Sequence, residues 1–300
     1  MRRAKHIDDA PMLFVCGMSR SGTTLLATIF DAHGEIAMGS ELIPGPGLVL
    51  AEVCDALEHG LELASGDFAQ AGAALRSAGR REHGLVLTRC ARAGLSAQQT
   101  RDALAALRAE GLEQTGDFPD RMRMAWRLIR ERGLAERAAL FGFKLNTPAL
   151  AASHAMFPNA RFVSIVRDPR DVVASQRKRG FDRTTEEICK AWMTYTKAAE
   201  AMAAKHPDVA SLTRYEVLVS EPQDELARIF DVLPVDLEES VFAFASSGSA
   251  VFRGHPNAEQ LRRGFFDSSV GTWRETLTDG EAAQIESACG RRMAAYAAAA

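Results

Sequence analysis

The sequence predicts an α/β fold, a three-layer sandwich with a mostly parallel central sheet and helices on both faces. Three observations lead there. Short apolar runs bounded by glycine or proline recur along the chain, helical periodicity follows most of them, and the first run opens into a loop with glycines five residues apart. Buried runs that alternate with helices are how a parallel sheet reads, because crossover helices cover it.

The elements follow in order. "PMLFVCG", bounded by Pro11 and Gly17, is a buried strand, and Leu25, Leu26, Ile29 and Phe30 behind it recur at helical spacing. The intervening "GMSRSGTTLL" has the glycine spacing of a phosphate-binding loop, which makes the sandwich P-loop-like. "EIAMGSELIPGPG" is a glycine- and proline-rich turn into a stretch from about 48 to 137, rich in Ala, Leu, Arg and Glu, that reads as several helices with short breaks. "ALFGFKL" and "ARFVSIVRDP" are two more buried strands, the second leading to a helix that Asp168 N-caps and Pro169 starts. "VASLTRYEVL" offers another strand, and Pro222 opens the helix behind it. In the last helix, Thr278 and Glu281 form a capping box, with Ile285, Cys289, Met293 and Tyr296 on one face. The terminal "AAYAAAA" is expected to fray.

Composition narrows the function. The 300 residues are 47% hydrophobic and 25% charged, with net charge −3, which suits one globular domain over 1–300 with a helical insertion at about 50–137. That balance favours neither nucleic acid nor an anionic membrane, so any basic site must be local. The five cysteines are scattered without a C-x-x-C pair, so no disulfide framework or zinc site is expected. No apolar stretch approaches the roughly 18 residues a membrane span needs. A cytoplasmic protein is expected.

Two anion sites can be built from the residues. A loop between a buried strand and a helix N-terminus aims backbone N–H groups and the helix dipole at one spot. Gly22 permits close approach, Arg20 adds a forked charge, and Ser21, Thr23 and Thr24 add hydroxyls. Thr23 and Thr24 stand where a triphosphate-binding loop reads Lys then Ser or Thr. In "VRDPRDVVASQRKRG", Arg167 closes a strand, while Ser175 and Arg179 lie at i and i+4 behind it. Arg177, Lys178 and Arg183 read as a solvated face. A ligand with phosphate groups at both ends fits two such clusters.

Together "RSGTTLL" and "VRDPRDVVAS" resemble the 5′-phosphosulfate loop and the 3′-phosphate motif of sulfotransferases that use 3′-phosphoadenosine-5′-phosphosulfate (PAPS). The resemblance runs from about 12 to 46 and from 139 to 296, including "TRYEVLVSEP" and "GTWRETL". It implies sulfuryl transfer from PAPS, without a metal, to the hydroxyl of a small molecule or a peptide tyrosine. The stretch "FDAHGEIAMGSELIP" is most similar to the tyrosylprotein sulfotransferase-like branch. The resemblance places Glu41 on that branch's catalytic base and Lys144 on its catalytic lysine. It places Arg20, Ser21, Gly22, Thr23, Thr24, Arg167, Ser175, Arg179 and Tyr215 on cofactor-contacting positions. Ser40 departs from the branch's first Glu, which bears on a tyrosyl-peptide acceptor, and Thr272 departs from its Lys, which leaves Arg262 or Arg263 as candidates to close the 3′ side. His33 is a rival base that more simply caps or packs after the first helix, and Trp192 reads as a core aromatic. The alternatives are a P-loop small-molecule kinase, which should show the loop lysine and a strand ending in a magnesium-binding carboxylate, and a non-catalytic nucleotide-binding module.

Overall fold

Five short runs, each almost wholly buried, pair because their alternating residues have apolar partners on both faces. The computed structural model describes residues 12–39, 41–131, 138–248 and 257–297. Ser40 and the side chain of Tyr296 lie outside the described residues. The strands are β1 (Met12–Cys16), β2 (Ile36–Met38), β3 (Leu140–Leu145), β4 (Arg161–Val166) and β5 (Ala210–Arg214). They form one sheet of order β2-β3-β1-β4-β5, and the pairs β1–β4, β2–β3 and β4–β5 are parallel. This is the mostly parallel sheet the sequence predicts, with helices around it.

The helices are α1 (Thr23–Asp31), α2 (Leu50–Leu63), α3 (Phe68–Ser77), α4 (Arg81–Arg92), α5 (Ala97–Ala109), α6 (Phe118–Arg130), α7 (Leu150–Met156), α8 (Pro169–Lys178), α9 (Thr185–Lys205), α10 (Tyr215–Ser220), α11 (Pro222–Phe230), α12 (Ala258–Leu261) and α13 (Asp279–Ala297). Their ends obey local chemistry. Asp168 accepts from Arg170 N ahead of α8, with Pro169 at its first position. Thr278 and Glu281 close their capping box ahead of α13. Residues 36–38, ahead of Glu41, pair as a strand, and one element departs from the sequence reading: "YEVL" turns helical as soon as β5 ends.

By contact density the chain divides into two compact units. One holds Met12 and the described residues of 27–143 and 238–262, and its helices α2 to α4 close over Ala56, Leu57, Ala71, Leu75 and Leu87. The other holds 13–26, 144–237 and 263–300. Its core joins Val172, Val173, Ile188, Trp192, Ile285 and Cys289 from α8, α9 and α13, and Phe14 meets Phe162 with ring centroids 5.2 Å apart.

Candidate active site

Adjacent parallel strands β1 and β4 each end in a loop, and both anion clusters foreseen in the sequence sit on those loops within one unit. Ligands of open α/β sheets bind outside the carboxyl ends of strands, where the chain's direction of travel across the sheet reverses. From β1 the chain travels toward the β2 edge and from β4 toward the β5 edge, so β1 and β4 flank such a point.

The first loop is shaped by backbone conformation. Gly22 has φ +104°, and a Cβ there would stand 2.7 Å from the Tyr215 ring. Arg20 adopts φ +77° although it carries a side chain, a strain of order 1 to 3 kcal/mol that is stored most often at ligand sites. From this conformation Arg20 Nε donates to Ser175 Oγ at 2.9 Å, so the loop after β1 touches the helix after β4. Arg167 Nη1 donates to Arg20 O at 3.2 Å, and its guanidinium lies 4.7 Å from the centre of the Tyr215 ring. Lys144, buried near the end of β3, donates from Nζ to Thr24 Oγ1 at 3.0 Å.

The electrostatics call for an anion. Burial above all, then the charges of Arg179 and Arg167, push the Arg20 pKa down to about 10, so it stays charged at neutral pH but at a cost. A bound anion would relieve that cost. The structure thus brings together Arg20, Gly22, Thr24, Lys144, Arg167, Ser175 and Tyr215, with Arg179 within electrostatic range. Ser21 and Thr23 are buried in the same loop and first turn. Arg179 closes α8 as its C-cap and is exposed.

Sequence reasoning missed Asp171. It is fully buried and accepts from Gly271 N, Thr272 Oγ1 and Trp273 N at 2.8 to 3.0 Å, and it lies 3.9 Å from Arg167. Arg167 also donates to Ser269 O. These contacts, not Arg262 or Arg263, tie the late loop to the helix after β4; both of those arginines are exposed, and neither side chain makes a hydrogen bond among the described residues. The signal was present, since Asp171 is one helical turn beyond Arg167. Trp192 is core as expected, but its indole N–H also donates to Arg167 O at 2.8 Å and fixes the end of β4. Arg177 stays partly exposed but does not simply face water: it bridges Glu281 and Thr185. His33 is buried and accepts from Glu35 N, the packing role foreseen for it. Glu41 is half-buried in the turn after β2, in the other unit.

Arg167, Trp192 and Glu216 also line a cavity of about 330 Å³. Three carboxylates, Asp168, Glu216 and Glu286, share its wall with Arg167, Arg170 and Arg214; they pair with Arg170 and Arg214, and burial raises the Glu216 pKa. It suits a phosphate less well than the cluster of Arg20, Arg167 and Arg179.

The family model described as "Sulfotransferase family" matches residues 11–239. The chain belongs to the sulfotransferase family. This sulfotransferase is 24% identical over 242 residues to the protein-tyrosine sulfotransferase of Drosophila melanogaster, covering 78% of the chain and 40% of that protein. It is 25% identical to protein-tyrosine sulfotransferase A of Caenorhabditis elegans, covering 77% of the chain and 52% of that protein. The chain therefore spans about half the length of these curated relatives, or less. Among solved structures, the sulfotransferase domain of the Synechococcus PCC 7002 olefin synthase superposes with a TM-score of 0.56 at 18% identity, over 95% of this chain and 96% of that one. The sulfotransferase domain from the curacin biosynthetic pathway gives 0.53 at 18% identity, over 93% and 96%. Both likenesses concern the fold. No helix among the described residues is long and apolar enough to cross a membrane, and no group of three His, Cys, Asp or Glu side chains there could hold a metal ion.

Proposed function

We propose that the chain is a PAPS-dependent sulfotransferase acting on the hydroxyl of a small molecule or peptide. The carrying observation is the contact of Arg20 with Ser175 and of Arg167 with the Arg20 backbone, which joins two basic loops into one anion site. The residues present fit the donor. The loop of Arg20 to Thr24 would hold the 5′-phosphosulfate, and Arg167, Ser175 and Arg179 the 3′-phosphate, with Tyr215 beside them. The donor supplies an activated sulfuryl group when bound. Lys144, donating to Thr24 in the same loop, is placed to offset negative charge on the 5′-phosphate oxygen as its bond to sulfur breaks. Glu41 takes the proton of the acceptor hydroxyl, whose oxygen forms the new bond to sulfur. That assignment rests on the resemblance of "GSELIP" to the tyrosylprotein branch. The helices at 50–137 would contribute the acceptor pocket, and the cytosol is the expected location.

Single-turnover transfer from labelled PAPS to a panel of hydroxyl acceptors tests the reading. Glu41→Gln should slow transfer about 100-fold or more while donor affinity holds. Lys144→Ala should raise the chemical barrier by about 2.7 to 4 kcal/mol. Wild-type rates in both variants would remove them from the mechanism, and absence of transfer with intact binding would favour a nucleotide-binding module.

A further inference from the structure

The chain just beyond Glu41 is held in an unusual way. Three consecutive carbonyl oxygens each accept a hydrogen bond from a side chain of the helical region. Arg89 Nη1 of α4 donates to Ile43 O at 3.2 Å, Arg121 Nε of α6 donates to Pro44 O at 2.7 Å, and Thr115 Oγ1 donates to Gly45 O at 2.9 Å. Thr115, fully buried, closes the clasp with its backbone as well: its N–H donates to Leu48 O, and its carbonyl accepts from Gly47 N. On the near side of Glu41, Leu42 N donates to Gly39 O, and Gly39 N to Gly142 O of β3. Pro44 and Pro46 restrict φ between these anchors. The turn that carries Glu41 is thus fixed from both directions, and all of it lies in one compact unit.

The clasp is costly for a merely structural one. Arg89 and Arg121 spend half-buried guanidinium groups on neutral carbonyls, and neither forms an ion pair among the described residues. Burial, then the neighbouring Arg89, lowers the pKa of Arg121. Burial also lowers that of Arg92, with Glu41 the largest opposing influence and Arg76 and Arg89 adding repulsion. Like charges gathered at a fold's expense mark functional ground more often than structural ground.

We propose that Arg89, Arg121 and Thr115 are positioning residues for the general base, and that the helical region exists in part to hold the main chain at 43–45 and with it Glu41. This rests on the reading of Glu41 as the base. It assigns a task to the one long stretch for which the sequence offered no resemblance. The misplacement of a catalytic group by about 1 Å can cost up to roughly 100-fold in rate, which is the scale of loss the clasp would prevent.

Amide hydrogen exchange tests the holding, and transfer kinetics test its purpose. In Arg89→Ala and Arg121→Ala, the amides of Leu42, Gly47 and Leu48 should exchange about tenfold faster or more, while those of β1 and β4 keep their wild-type rates. If the β1 and β4 amides accelerate too, the lysine variants Arg89→Lys and Arg121→Lys replace the alanines and should show an intermediate effect at 42–48 only. Single-turnover transfer to 4-nitrophenol should fall about 10- to 100-fold in the alanine variants with affinity for adenosine 3′,5′-bisphosphate unchanged. In a Glu41→Gln background the arginine variants should cost nothing further, since residues acting through one group are not additive. Unchanged exchange at 42–48 in the Arg89→Ala, Arg121→Ala double variant overturns the clasp. Additive losses with Glu41→Gln overturn its catalytic purpose. A Glu41→Gln protein that transfers at the wild-type rate overturns the base assignment while leaving the exchange result standing.

Discussion

Arg20 concentrates the site's chemistry in one side chain: a left-handed backbone, a bond to Ser175, and a charge held against burial and two other arginines. Such a group should gain much from an anion. Arg20→Ala and Arg167→Ala are each expected to weaken binding of adenosine 3′,5′-bisphosphate by about 1.5 to 3 kcal/mol in calorimetry, the scale of a charge-assisted hydrogen bond. Equal binding by wild type and the double variant would sink the site. Most of these residues were legible in sequence because each sits at a fixed short distance from a strand end, where glycine spacing and helix periodicity are local rules. The position of Asp171, one turn beyond Arg167, was legible too, but its partners Gly271, Thr272 and Trp273 were not, because they come from about 100 residues away and only the fold brings them within 3 Å. The arginine partners of Ile43 and Pro44 were hidden for the same reason.

At the scale of elements, caps and prolines announced most helices. What they could not announce was a three-residue strand such as β2, too short for a periodicity, or the switch to helix at Tyr215. Nor could they show that Arg177 leaves the solvated face to meet the start of α13. There Glu281 accepts from Thr278 N and from Arg177, which hold its pKa down at about 2 against the ordinary 4.5. A carboxylate lowered in the folded state adds stability above its unfolded pKa and loses it as the pH falls through the folded one. Glu281→Gln should therefore melt below wild type near neutral pH, with a gap in Tm that closes as the pH drops from 4.5 toward 2. Because the pair is exposed, the gap should be small and shrink in salt. A gap that persists unchanged at the acid end would show that the difference comes from packing.

For the whole molecule, composition foretold a globular α/β protein and the two motifs foretold the family. The division into two compact units was not legible, because each is assembled from separated stretches of chain that composition does not distinguish. The residues proposed to hold the phosphates all fall in the unit of 13–26, 144–237 and 263–300. Adding adenosine 3′,5′-bisphosphate should slow amide exchange at 17–26, 166–179 and 269–273 and leave α2 to α5 near their unliganded rates. Protection centred on α2 to α5 would move the nucleotide elsewhere.

The register of β1 against β4, Leu13 opposite Arg161, carries a consequence for how the chain is made. The loop after β1 leaves the ribosome well before β4, which follows its partner strand by about 150 residues, roughly 7 to 30 s at ordinary rates of synthesis. Until β3 and then β4 are made, MLFVC is a nascent, wholly apolar segment without its sheet neighbours, while α2 to α6, whose contacts are short in sequence, can already form. The proposed nucleotide site is thus assembled from strands made far apart in time, and a holdase chaperone would find its natural target at β1.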